Sequence, residues 1–168
     1  MTLADVNEMT QDTFVEKLGW IFEHSPWVAE RAWSARPFES IGALHQAMTD
    51  QVTLAKLDER LALLRAHPDL GTRARISSAS TQEQAGVGLD QLTPEEFDRL
   101  KRLNTTYREK FGFPFLFAVK GSNKHAILAA LECRVVSDPE PELTEALRQV
   151  FRIAEFRLND TLSAEGGN

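Results

Sequence analysis

"TPEEFDRLKRLNTTYREKFG", residues 93–112, carries its own start and stop signals for an α-helix. Thr93 can cap the first free backbone N–H groups, and Pro94 suits a first helical position where its missing N–H costs nothing. Glu96, three residues after the cap, completes a capping box, and Gly112 supplies the left-handed stop. Inside those limits Asn104, Tyr107 and Phe111 recur at helical spacing, ordinarily a sign of core packing.

The same three- and four-residue recurrence extends outward in both directions, while period-two alternation is nearly absent. Upstream, "TFVEKLGWIF" (13–22) places Phe14, Leu18, Ile21 and Phe22 on one face. "SPWVAERAW" (25–33) reads as a helix with Ser25 as N-cap and Pro26 at the first position, and Ser40 opens another, "SIGALHQAMTDQV". "LAKLDERLALLR" (54–65) reads as an amphipathic helix ending at Ala66 or His67, because Pro68 disfavours the α conformation in the residue before it. Downstream, "KHAILAALECRVV" (124–136) is helical, and a last helix from about 140 to 162 buries Leu143, Leu147, Val150, Ala154 and Leu158. The expectation is an all-α fold, a single-domain irregular multi-helix bundle over residues 1–168 with 163–168 a flexible tail.

Composition narrows the function classes. A chain of 168 residues, 42% hydrophobic, can build a full core. Its net charge of −6 would repel a phosphate backbone, which argues against nucleic acid as a partner. The longest apolar runs fall well short of the ~20 residues of a membrane span, and the N-terminus lacks a signal-peptide layout. A soluble, cytoplasmic protein is expected. The single cysteine, Cys133, cannot form an internal disulfide and reads as a small buried thiol.

Two segments interrupt the helical pattern: "HPDLGTRARISSAS" (67–80) and the aromatic run "FGFPFLFAVKG" (111–121) around Pro114. Loops between packed helices are where functional groups gather, so these are the candidate walls of a site. The four histidines show no zinc spacing, and there is no phosphate loop, nucleophile elbow or cysteine with a base beside it. Chemistry would have to come from ordinary acid, base and charge groups. His67 is either a general acid–base imidazole or a cation complementing a helix C-terminus. Glu83 either closes a capping box with Ser80 or orients a histidine. Arg157 either snorkels to solvent or to a local carboxylate such as Glu155 or Asp160, or meets an anionic substrate with paired hydrogen bonds. The turn at Pro114 can present backbone amides to a ligand.

Taken in order, "SPWVAERAW" with "RPF" (36–38), "HPDLG", the Ser80–Gly86 pattern SxxEQAG, NxxYxxKFGFPF (104–115) and "IAEFRL" (153–158) resemble the OHCU decarboxylase family. Its members act on 2-oxo-4-hydroxy-4-carboxy-5-ureidoimidazoline (OHCU). The resemblance implies an all-helical homodimer, without metal or organic cofactor, that converts this small molecule to (S)-allantoin in urate breakdown. It further implies that His67, Glu83 and Arg157 are catalytic, that Pro68, Ser80 and Gln84 line the pocket, and that the backbone of Phe115, Leu116, Phe117, Ala118 and Val119 binds the ring. Many relatives carry asparagine where this chain has Ser137, and only local structural consequences are expected. Two rivals remain at this stage: a non-enzymatic helical interaction module, and a cofactor-free hydrolase or lyase for another ureide.

Overall fold

In the computed structural model, residues 1–71 and 78–162 are described; the expected tail at 163–168 and residues 72–77 of the first loop lie outside the described residues. Among the described residues there are nine α-helices and two 3₁₀ turns, and no strand. The helices are α1 (Leu3–Glu8), α2 (Gln11–Leu18), α3 (Trp27–Ala32), α4 (Ile41–Leu54), α5 (Leu57–Arg65), α6 (Ser78–Ala85), α7 (Pro94–Phe111), α8 (Lys124–Arg134) and α9 (Pro139–Thr161). The all-α expectation holds. None of the described helices is long and apolar enough to cross a membrane.

The chain divides into two compact units, residues 1–66 with 151–168, and residues 67–150. In the first, α3 packs against both α2 and α4, and Phe14, Leu18, Val28, Ala32, Leu44 and Met48 of these helices are buried. The face expected of "TFVEKLGWIF" is buried as a whole, but α2 tightens into a 3₁₀ turn at Gly19–Ile21. A Cβ on Gly19 would stand 3.2 Å from Pro26 Cβ, so the missing side chain lets these two segments close together. The "RPF" segment ties the N-terminus down. Arg36 stacks on Trp33 at 4.0 Å and donates to the carbonyls of Asn7 and Met9, while the Asn7 amide bonds both the N–H and the C=O of Phe38. Helix α1, whose Thr2–Asp5 capping box was not read from the sequence, supplies the Asn7 end of this clamp.

Three local expectations are corrected. Ser25 does not cap α3: its hydroxyl donates to the Glu23 carbonyl at 2.9 Å, and the helix begins at Trp27. "LAKLDERLALLR" is not one helix. Ala55 and Lys56 are extended, with Leu54 and Leu57 turned to solvent, and α5 starts afresh with Glu59 accepting from the Lys56 amide. It ends at Arg65 with Ala66 as its cap, so His67 stands just beyond the helix rather than at its last turn. Cys133 is exposed, not buried, because α8 turns Ile127, Leu128 and Leu131 inward instead.

In the second unit, α7 matches its expected limits. Thr93 Oγ1 accepts from the Glu96 amide, Glu96 accepts from the Thr93 amide, and Gly112 adopts φ 78° at the stop. The Lys124 ammonium, with the Thr93 amide second, holds the Glu96 carboxyl down at about 2. A folded-state value below the unfolded one makes this a contribution present above the unfolded value and lost as the pH falls toward 2. Replacing Thr93 by alanine is expected to lower unfolding free energy by about 1 kcal/mol at neutral pH. Urea titration checks this as a lower midpoint at unchanged slope.

Candidate functional site

His67 is 7% exposed and opens the second unit, where the loop that follows it is held by three side chains. The buried Asn104 of α7 donates to the Leu70 carbonyl at 3.0 Å, Gln84 of α6 accepts from the Gly71 amide at 2.9 Å, and Arg108 pairs with Asp69 at 3.2 Å. Gly71 has φ 74°, and a Cβ there would stand 2.5 Å from Leu100 Cδ2. A side chain there would strain the backbone and push Leu100 aside. The "HPDLG" stretch is thus a fixed loop after α5, with Pro68 half-buried.

Ser80 and Gln84 lie one turn apart on α6 and are both buried; Glu83, between them in sequence, is half-buried. The helix begins at Ser78, so Ser80 sits inside it, and the capping-box reading of Ser80 and Glu83 is corrected. Gln84 has a visible task of its own, joining α6 to the "HPDLG" loop.

The aromatic run after α7 has no regular secondary structure and is mostly buried, Phe115 and Leu116 included. Rings of Phe111, Phe113 and Phe115 surround Tyr107 at centroid distances of 4.5, 6.0 and 5.5 Å. Beneath the run lies a charged cluster. Arg134 of α8 donates to the Leu116 carbonyl at 2.6 Å, covers the Phe115 ring at 4.5 Å and reaches Glu142 of α9 through Nε at 2.8 Å. The Tyr107 hydroxyl donates to the same carboxylate. Burial, with the Glu142 charge beside it, pushes the phenol far above its usual range, so Tyr107 remains a donor. Gln149 of α9 accepts from the Ala118 amide at 2.9 Å. Ser137 donates its backbone N–H to the Arg134 carbonyl, a local turn at the end of α8.

Arg157 belongs to the first unit. It is 3% exposed, which rules out snorkelling to solvent, and it pairs with Glu23. Nη2 donates to Glu23 Oε2 at 2.9 Å, and Nη1 to the carbonyls of Trp20 and Ile21 at 3.2 and 3.3 Å. Among the described residues, no three His, Cys, Asp or Glu side chains stand together in a metal-binding group.

A family model described as OHCU decarboxylase matches residues 7–159. The chain belongs to the OHCU decarboxylase family. Among relatives, the 2-oxo-4-hydroxy-4-carboxy-5-ureidoimidazoline decarboxylase of Haloferax volcanii is 50% identical over 165 residues, covering 98% of each chain. Among solved structures, an (S)-allantoin synthase superposes with a TM-score of 0.78 at 36% identity; the match covers 96% of this chain and 54% of that one, about half its length. An OHCU decarboxylase crystallised in the presence of (S)-allantoin gives a TM-score of 0.67 at 22% identity, over 80% of this chain and 89% of that one, a likeness of fold.

Membership of the OHCU decarboxylase family gives the buried polar residues a setting, yet sequence reasoning missed Glu23, Glu142 and Gln149. A signal for Glu142 was present. Counting back in fours from Leu158 through Ala154 and Val150 leads to Ala146 and Glu142, whereas the expected stripe shifted by one residue onto Leu143 and Leu147, which are half-buried. Removing one member of a buried charged pair strands the other, at about 3–5 kcal/mol. Glu142→Ala is expected to destabilise the fold on that scale, read by chemical denaturation.

Proposed function

We propose that this protein decarboxylates OHCU to (S)-allantoin, in urate and purine breakdown, by acid–base catalysis at His67, Glu83 and Arg157. What carries the proposal is the likeness to the Haloferax enzyme, half identical over 98% of both chains. A family match that runs through both compact units supports one functional domain.

Loss of CO2 leaves an electron pair that needs an acceptor, which many decarboxylases obtain from a cofactor. OHCU contains one: its ring C=N adjoins the carbon that bears both carboxylate and hydroxyl. As the bond to the carboxylate breaks, its electrons move into the ring, and the protein has only to place the substrate and move protons. His67 bonds the substrate hydroxyl and relays its proton. Glu83 orients the imidazole or a ring nitrogen, and Arg157 receives a polar substrate group. As the hydroxyl-bearing carbon becomes a carbonyl, protonation of the neighbouring ureido-bearing ring carbon from one face yields a single enantiomer.

Pro68, Ser80 and Gln84 line the pocket, Gln84 through the hydrogen bond that fixes Gly71. In the run from Phe115 to Val119, the Leu116 carbonyl and the Ala118 amide already bond Arg134 and Gln149, so ring recognition falls to the groups between and beside them, the N–H and C=O of Phe117 first. A cytoplasmic homodimer completes the proposal, and sedimentation equilibrium at micromolar concentration tests the dimer.

OHCU also loses CO2 unaided to give racemic allantoin, so the decisive assay follows the circular dichroism of the product. Wild-type protein is expected to produce the (S) enantiomer; a racemic product at the spontaneous rate would refute the activity. His67→Ala or His67→Asn should lower turnover by about 10²–10⁴-fold, the usual worth of general acid–base catalysis. Arg157→Lys keeps the charge but loses the planar fork, and a large loss is expected there also.

A further inference from the structure

We propose that Glu23 is a positioning residue for Arg157, holding its guanidinium in one plane for the substrate. The inference rests on Arg157 being catalytic, as proposed above, and adds a residue that acts through it.

One short stretch of chain wraps the guanidinium. The carbonyls of Trp20 and Ile21 take Nη1, and Oε2 of Glu23 takes Nη2, so contacts on two nitrogens of a planar group prevent its rotation. Glu23 itself is 1% exposed. Its backbone is fixed by the Ser25 hydroxyl on the Glu23 carbonyl and by the Ser25 amide on the Phe22 carbonyl at 3.1 Å. His24, next in sequence, adopts φ 45°, the left-handed region that a non-glycine residue enters at a cost. It is the one non-glycine residue with positive φ among the described residues. Backbone strain of this kind persists where surrounding structure over-determines it, commonly at functional sites. Here the carboxylate that it adjoins is buried, as are Ile21 and Phe22 before Glu23 and Ala154 and Leu158 around Arg157 in sequence.

Stability alone is a poor reason for such a pair. Desolvating two charges costs about what their attraction returns, and well-packed apolar residues of similar volume often serve as well or better. A guanidinium that must meet a substrate in a set orientation is a sufficient reason, because small misplacements of a reacting group cost rate steeply.

The test is a double-mutant cycle on Glu23→Gln and Arg157→Lys, reading kcat and KM for (S)-allantoin formation together with the thermal midpoint of each variant. Glu23→Gln should lower kcat/KM by about 10–100-fold while retaining the native circular dichroism spectrum. In the double variant it should add little to the loss already caused by Arg157→Lys. Glu23→Asp, which keeps the charge and withdraws it by one methylene, carries the same comparison should the glutamine variant not fold. A Glu23 variant that melts earlier but turns over at the wild-type rate, or losses that multiply in full in the double variant, would overturn the proposal and leave Arg157 in place. Wild-type kinetics in Arg157→Lys would instead remove Arg157 from the chemistry and this inference with it.

Discussion

A polar group taken out of water must find its partners inside the protein, and helix α9 imposes that condition three times. Glu142, Gln149 and Arg157 all lie on its buried side; Gln149 and Arg157 meet irregular segments directly, and Glu142 does so through Arg134 of α8. Gln149 takes the Ala118 amide, and Glu142 takes Arg134, which in turn takes the Leu116 carbonyl. Arg157 takes the turn that precedes α3. An apolar stripe would have packed α9 as firmly, but it could not have specified the course of the loops around it. Directional bonds do so because each has a preferred length and angle.

That arrangement suits an OHCU decarboxylase. A substrate that holds its own electron acceptor asks the protein for placement and proton management rather than for a reactive group. Placement from loops is ordinarily loose, since loops are the mobile part of a fold. Here the loop after His67 is tied by Asn104, Gln84 and Arg108, and the run after Gly112 by Arg134 and Gln149, so loop backbone is held by side chains rooted in helices.

Much of this was legible in the residues. The limits of α7 could be read because Thr93, Pro94, Glu96 and Gly112 act locally, each within one turn of the residue that it satisfies. Ser40 capped α4 for the same reason. Features decided by distant partners were not legible. Nothing near Arg157 in sequence points to Glu23, 134 residues away, and Ser25 has the look of a cap until the Glu23 carbonyl claims its hydroxyl. The register of α9 failed in an instructive way: apolarity alone preferred Leu143 and Leu147, because a buried glutamate or glutamine becomes affordable only once its partner is known. The break at Ala55 had no glycine or proline to announce it; it is visible only as two leucines facing water.

The outward turn of Cys133 has a practical side. It is the one thiol in the chain, it is exposed, and it adjoins Arg134, whose guanidinium grips both Glu142 and the Leu116 carbonyl. A maleimide fluorophore would therefore attach at a single place on α8 without engineering. Its emission would report, from the surface, on whether the grip beneath it changes when the enzyme fills and empties.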